Sequence, residues 1–215
     1  MTPAHPARPA HPPEPWQLRG RGDVTLWRVP LDAVPALPDG VRALRVRGES
    51  LVVTAFVDYA EGGLLAYHEL LAAVVVRHGR GLALSITDIW VDSPESLAGG
   101  RALWGIPKDL ATFEMAEPGV SEARVDGVLL SAASSRPRRG PTVPVPRVLR
   151  GRVVQTLAGS TVSTRITAGG RISRATAEWS FPPTGPLAWL GTRQALLSVS
   201  AEDFALTFGP KLSGS

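Results

Sequence analysis

From Trp16 onward, apolar and polar residues alternate with a period of two over much of the chain. Such alternation sets one row of side chains against a core and the next in water, as a half-buried strand requires. Residues 24–29 follow it, and residues 41–47 follow it with Arg42, Arg45 and Arg47 on the polar row. Residues 51–59 and 82–91 are rich in β-branched and aromatic side chains and predict two more strands. Further strands are predicted at 124–132, 148–157, 160–167, 171–181 and 204–208. Residues 64–77 are ambiguous: Leu and Ala favour helix, whereas Val74-Val75-Val76 and the flanking glycines favour strand. Ser93-Pro94-Glu95-Ser96 predicts a helix start, with Ser as N-cap, Pro in the first position and an acid in the first turn. Gly99-Gly100 and Gly105 predict that this helix is short, and residues 189–199 predict a last helix. The expected fold is α+β and β-rich, a curved or closed antiparallel sheet with a few helices.

Residues 1–15 break the pattern. They carry Pro3, Pro6, Pro9, Pro12, Pro13 and Pro15 with His5 and His11, and predict a flexible or extended arm before a single domain, 16–215. With 215 residues, 44% hydrophobic and 20% charged, the chain is long and apolar enough to bury a core unaided. It has no cysteine, so disulfides, thiolate metal sites and a catalytic thiol are excluded. That composition, and an N-terminus without an apolar leader, predict a cytoplasmic protein. The apolar run at 70–76 is too short to span a bilayer, so no membrane association is expected.

Net charge is +4 and the basic residues are scattered, apart from Arg136-Pro137-Arg138-Arg139. That cluster lacks the stripe and aromatic context of a nucleic-acid footprint and reads as a solvated loop. Arg21-Gly22-Asp23 and the pairs Gly99-Gly100 and Gly169-Gly170 carry no mechanism at these spacings, and no histidine pair has metal-ligand spacing.

Charge becomes informative by residue type. Of the 23 basic residues only Lys108 and Lys211 are lysine. Lys211 reads as a leftover near a Gly/Ser tail. Lys108 is flanked by Trp104, Ile106, Pro107 and Leu110. Apolar surroundings disfavour an ammonium and make free amine available. A free amine attacks a ketone to form a Schiff base, an electron sink for decarboxylation, aldol or dehydration steps. Arginine stays protonated and cannot do this. A surface lysine whose stem lies over Trp104 is the competing reading.

Gly100-Arg101 followed by Gly105-Ile106-Pro107-Lys108 resembles the lysine motif of the acetoacetate decarboxylase superfamily. Tyr67-His68-Glu69 is similar to that family's tyrosine-x-glutamate element, and Arg21 before the strand through Trp27-Arg28 is similar to its opening. The resemblance covers about residues 14–115. It implies a conical antiparallel β-barrel with flanking helices, a homo-oligomer, and neither metal nor organic cofactor. It implies Lys108 as the imine former, Glu69 as the group that orients the amine or moves protons, and Arg21 as the partner of a substrate carboxylate. Tyr67, Trp104 and Thr54 are then expected to bind substrate. Typical members carry a second lysine after the first, where this chain has Asp109, and an acid where it has Thr54. A neighbouring cation favours free amine and an anion opposes it, although in an extended segment Asp109 points to the opposite face. By the same alternation His68 faces away from Tyr67 and Glu69, and Arg101 is expected to pair structurally with Glu95 or Asp92. The expected activity is an imine-forming lyase on a β-keto or other oxo acid. An aldolase, dehydratase or cyclase in the same pocket, and non-catalytic binding of an anionic small molecule, are the alternatives.

Overall fold

The computed structural model describes residues 11–79, 81–116, 119–138 and 141–212. Residues 1–10 of the expected arm, and Arg139 of the basic cluster, lie outside the described residues. The elements run β1 (Trp16–Pro30), β2 (Arg42–Ala43), β3 (Glu49–Tyr59), β4 (Tyr67–His78), β5 (Gly81–Val91), α1 (Pro94–Trp104), β6 (Lys108–Leu110), β7 (Thr112–Ala116), β8 (Val120–Val125), β9 (Val128–Pro137), β10 (Val143–Leu157), β11 (Ser160–Ser180) and β12 (Gln194–Lys211). The fold is therefore mostly β. The expected few helices reduce to α1 and two 3-10 turns among the described residues.

Hydrogen bonding runs in the order β10-β5-β4-β3-β1-β12-β11-β9-β8-β7, and β10 also pairs with β11. The pairing from β10 through β5, β4, β3, β1, β12 and β11 thus returns to its start. Its joints are antiparallel except β10–β5, a parallel contact at Val153 and Leu84. Strands β9, β8 and β7 continue from the second half of β11.

Alternation along each ring strand feeds two cores. On β3, Val52 and Phe56 join Trp27, Leu70 and Val74 in one, while Ala55, Val57 and Tyr59 join Trp16, Ile89 and Trp104 in the other. The first core is covered by Phe113 and Met115 of β7, Ala123 of β8 and Leu130 of β9, with Phe56 stacked on Trp179 at 5.3 Å between centroids. A strand buried on both faces reads as a continuous apolar run, not an alternation. This is why periodicity leaves 64–77 ambiguous, and from Tyr67 onward the run is strand β4.

Three other expectations are corrected. Residues 41–47 form strand only at Arg42–Ala43 before a tight turn through Arg47-Gly48. The run 124–132 is a hairpin: Asp126 and Gly127 both take positive φ, 50° and 78°, as a two-residue turn between twisted strands requires. The helix expected at 189–199 is a 3-10 turn, Ala188–Leu190, leading into β12, which is paired on both sides by β1 and β11. That pairing outweighs the helix propensity of Gln194-Ala195-Leu196-Leu197.

Helix α1 begins as predicted: Ser93 Oγ accepts from the Ser96 N–H at 3.1 Å, and Pro94 is its first residue. It then runs straight through Gly99-Gly100 and ends at Gly105, whose φ is 66°. Residues 11–15 dock beside it. Glu14 Oε2 accepts from Trp104 Nε1 at 2.8 Å and from the Lys211 N–H at 3.2 Å. Lys211 Nζ donates to the Leu103 carbonyl at 2.7 Å, so this lysine ties β12 to the end of α1 and is no leftover. No helix among the described residues is long and apolar enough to cross a membrane.

Candidate active site

Strand register brings Glu69 and Lys108 together from distant sequence. Glu69 lies opposite Val91 of β5, and Lys108 lies opposite Ile89 of the same strand. Positions 89 and 91 share a face, so both side chains enter the same space. Lys108 Nζ donates to Glu69 Oε2 at 2.8 Å and to Ser96 Oγ at 2.8 Å, with Tyr67 Oη at 3.4 Å. The ammonium's three donors are thereby directed. Lys108 is 4% exposed, and its Nζ lies 5.0 Å from the centre of the Tyr67 ring.

The helix behind Lys108 is built to admit it. A Cβ at Gly100 would fall 2.8 Å from Lys108 Cδ, and one at Gly99 would run into the Trp16 ring. The two glycines are close-approach positions on a continuous helix, one for the lysine stem and one for an indole. Arg101, on the next face, donates from Nε to the Lys108 carbonyl at 2.7 Å and from Nη2 to Asp109 at 2.9 Å. It thus anchors the strand that presents the lysine, through Asp109 and not through Glu95 or Asp92. Asp109 itself points out of the cavity, as the extended backbone predicts.

Glu69 is held by two phenols. Tyr59 Oη donates to Oε1 at 3.2 Å and Tyr67 Oη to Oε2 at 3.4 Å, and the rings meet at 4.5 Å between centroids. Burial, and then the Glu69 carboxylate, push both phenols well above their ordinary value, so they stay protonated and serve as donors. These groups line a cavity of ≈ 140 Å³, whose remaining walls include Trp104, Ile86, Ile89, Val153, Leu206 and Phe208.

Of the residues expected from sequence, Lys108, Glu69, Tyr67 and Trp104 meet in this cavity; Arg21 and Thr54 do not. Arg21 lies opposite Asp58, one position from Gly20, which lies opposite cavity-lining Tyr59. Alternation therefore turns Arg21 away, and its Nε donates to Asp58 Oδ2 at 3.0 Å in an open cleft of ≈ 670 Å³ that contains neither Lys108 nor Glu69. Thr54 is on the Phe56 face of β3, where its Oγ1 accepts from Trp27 Nε1 at 2.8 Å. His68 turns outward to Asp92, with 2.6 Å between Nδ1 and Oδ2. Sequence reasoning missed Tyr59 and Ser96. The signals were present: Tyr59 and Tyr67 are counterparts across the Glu61-Gly62-Gly63 turn, and Ser96 precedes Gly100 by four, which puts both on one helix face.

The model of the family described as acetoacetate decarboxylase matches residues 2–139. No curated protein matches the chain significantly in sequence. Among solved structures, the chain is similar to the acetoacetate decarboxylase of Legionella pneumophila, at 17% identity over 99% of this chain and 93% of that one, with TM-score 0.73. It is similar to an acetoacetate decarboxylase-like enzyme from Sphingomonas wittichii RW1, at 16% identity over 99% and 98%, with TM-score 0.69. It is also similar to the enduracididine biosynthesis enzyme MppR, at 16% identity over 99% and 98%, with TM-score 0.66. At these identities the likeness is one of fold.

Proposed function

Because the chain belongs to the acetoacetate decarboxylase family, we propose that it is an imine-forming lyase in which Lys108 condenses with the carbonyl group of a small substrate. The observation that carries this reading is the buried Lys108 Nζ, 2.8 Å from Glu69 Oε2 in a cavity whose walls are apolar apart from the two phenols. We read the closed ring of strand pairings as the conical barrel that the resemblance implies.

The chemistry follows from the pair. The ammonium must lose a proton before it can attack, and Glu69 is the carboxylate in reach. Proton transfer leaves a neutral amine and a neutral acid, so the cavity's net charge does not change. The amine adds to the carbonyl carbon, and one of its protons passes to the oxygen to give a neutral carbinolamine. Glu69 returns its proton to the departing hydroxyl, water leaves, and a positive iminium faces a restored carboxylate. The iminium accepts the electrons of the bond β to nitrogen as that bond breaks, giving an enamine, and in the reverse direction the enamine donates them to form it. Tyr59 and Tyr67 hold Glu69 in place through both steps, and Ser96 fixes Nζ from the helix side. Neighbours named for acetoacetate decarboxylation and for MppR bound to a condensation product of pyruvate and an aldehyde support a chemistry of this type.

Borohydride trapping tests the reading. A carbonyl compound plus borohydride adds mass at Lys108, and Lys108→Arg abolishes both adduct and turnover. An unmodified Lys108 across short and long carbonyl compounds, in a folded protein, overturns it.

A further inference from the structure

Once Lys108 is taken as the imine former, the charges facing the cavity identify the kind of substrate it admits, and the substrate class rests on that imine reading. We propose that the cavity takes an uncharged carbonyl compound, a ketone or aldehyde with a short apolar chain, in preference to an oxo acid. Among the described residues, the lining contains two charged side chains, Lys108 and Glu69, and they neutralise each other. Once Lys108 is an iminium it carries one positive charge, which Glu69 still matches. A substrate carboxylate would be a third charge with no partner, close to a fixed carboxylate. Burying an unpaired anion in apolar surroundings is strongly unfavourable. The arginine expected to receive it, Arg21, is engaged with Asp58 on the other side of β1. The phenols and Ser96 already serve Glu69 and Lys108. The other walls offer carbon: Leu71, Leu84, Ile86, Ile89, Val153 and Phe208.

Volume sets the size. A cavity of ≈ 140 Å³ is close to one that accepts benzene, so it holds roughly six or seven non-hydrogen atoms. The reaction follows from the substrate. Without a carboxylate there is no carbon dioxide to lose, so the iminium forms its enamine by giving an α-proton to Glu69. The enamine carbon then bonds to a second carbonyl carbon, whose oxygen takes up that proton. In reverse, a neutral β-hydroxy ketone splits into an enamine and an aldehyde. The assigned class is aldol-type carbon–carbon chemistry.

The experiment compares two ketones of equal size and branching, 4-methylpentan-2-one and acetoacetate, with borohydride and the full chain. Each yield of Lys108 adduct is divided by that of Nα-acetyl-lysine under the same conditions, and Lys108→Gln supplies the blank. The expected result is roughly tenfold or more adduct with the neutral ketone. Equal or greater adduct with acetoacetate overturns this inference and leaves the imine reading standing. Adduct with neither overturns both.

Discussion

Gly100 lies against the stem of Lys108, so close that a Cβ there would sit 2.8 Å from Cδ and 3.0 Å from Cε. The neighbour that must yield is a flexible side chain, while alanine improves helix propensity by about 1 kcal/mol over glycine. Gly100→Ala is therefore expected to keep the fold but displace Nζ from Glu69. Borohydride trapping at Lys108 should fall by roughly tenfold, a factor of about 1.4 kcal/mol in alignment. Unchanged trapping would remove the glycine's role.

Gly99→Ala should act through the core instead. Its Cβ would meet the buried Trp16 ring, which packs edge-on against Trp104 at 4.8 Å and cannot step aside. Overpacking of this kind costs about 1–3 kcal/mol. Chemical denaturation should show that loss.

Glu69→Gln keeps the shape and removes the charge. Lys108 then has no counter-ion in a buried site, and breaking such a pair costs about 3–5 kcal/mol. Loss of the proton carrier should lower turnover by about 10²–10⁴. Turnover within twofold of the parent would assign the proton traffic elsewhere.

The buried phenols give an alkaline signature. Tyr59 and Tyr67 are raised above their ordinary value in the fold, by burial and by Glu69. A raised folded value stabilises the protein below about pH 10, where the unfolded phenol ionises, and that contribution is lost as pH rises toward the folded value. Stability should fall above pH 10, and the slope should be smaller in Tyr59→Phe. That variant also leaves Glu69 Oε1 without its Tyr59 donor, at a cost of about 1–3 kcal/mol.

Glu14 gives an acid signature of opposite sign. Burial opposes its ionisation, but hydrogen bonds from Trp104 and Lys211 outweigh burial and hold the carboxyl below its usual range. The contribution is complete above the unfolded value and disappears as pH falls through the lower folded one. Melting temperature should drop on acidification below about pH 4 in the parent and less steeply in Glu14→Gln.

The centre of the candidate site was legible because its signals are local: a lysine in apolar sequence, and a Tyr-x-Glu whose period of two puts both groups on one face. Arg21 and Thr54 were misplaced because the face a strand residue takes depends on register with its neighbour, here Arg21 opposite Asp58 and Thr25 opposite Thr54. The fold's β character was readable from alternation. What alternation hid was β4, apolar on both faces because both are covered, and β12, whose strand state comes from β1 and β11 and not from its own residues.

The cavity's walls have an order of arrival. Trp16 and Leu18 of β1 are made first and Lys108 midway, but Leu206 and Phe208 belong to β12. Glu14 waits for Lys211, 197 residues later, before the end of α1 is tied down. Until β12 has been made, the wall that Leu206 and Phe208 supply is missing from the space around Lys108. Lys108 is thus enclosed only when β12 has been delivered, and a product cut short before Leu206 contains the lysine without two of its cavity walls.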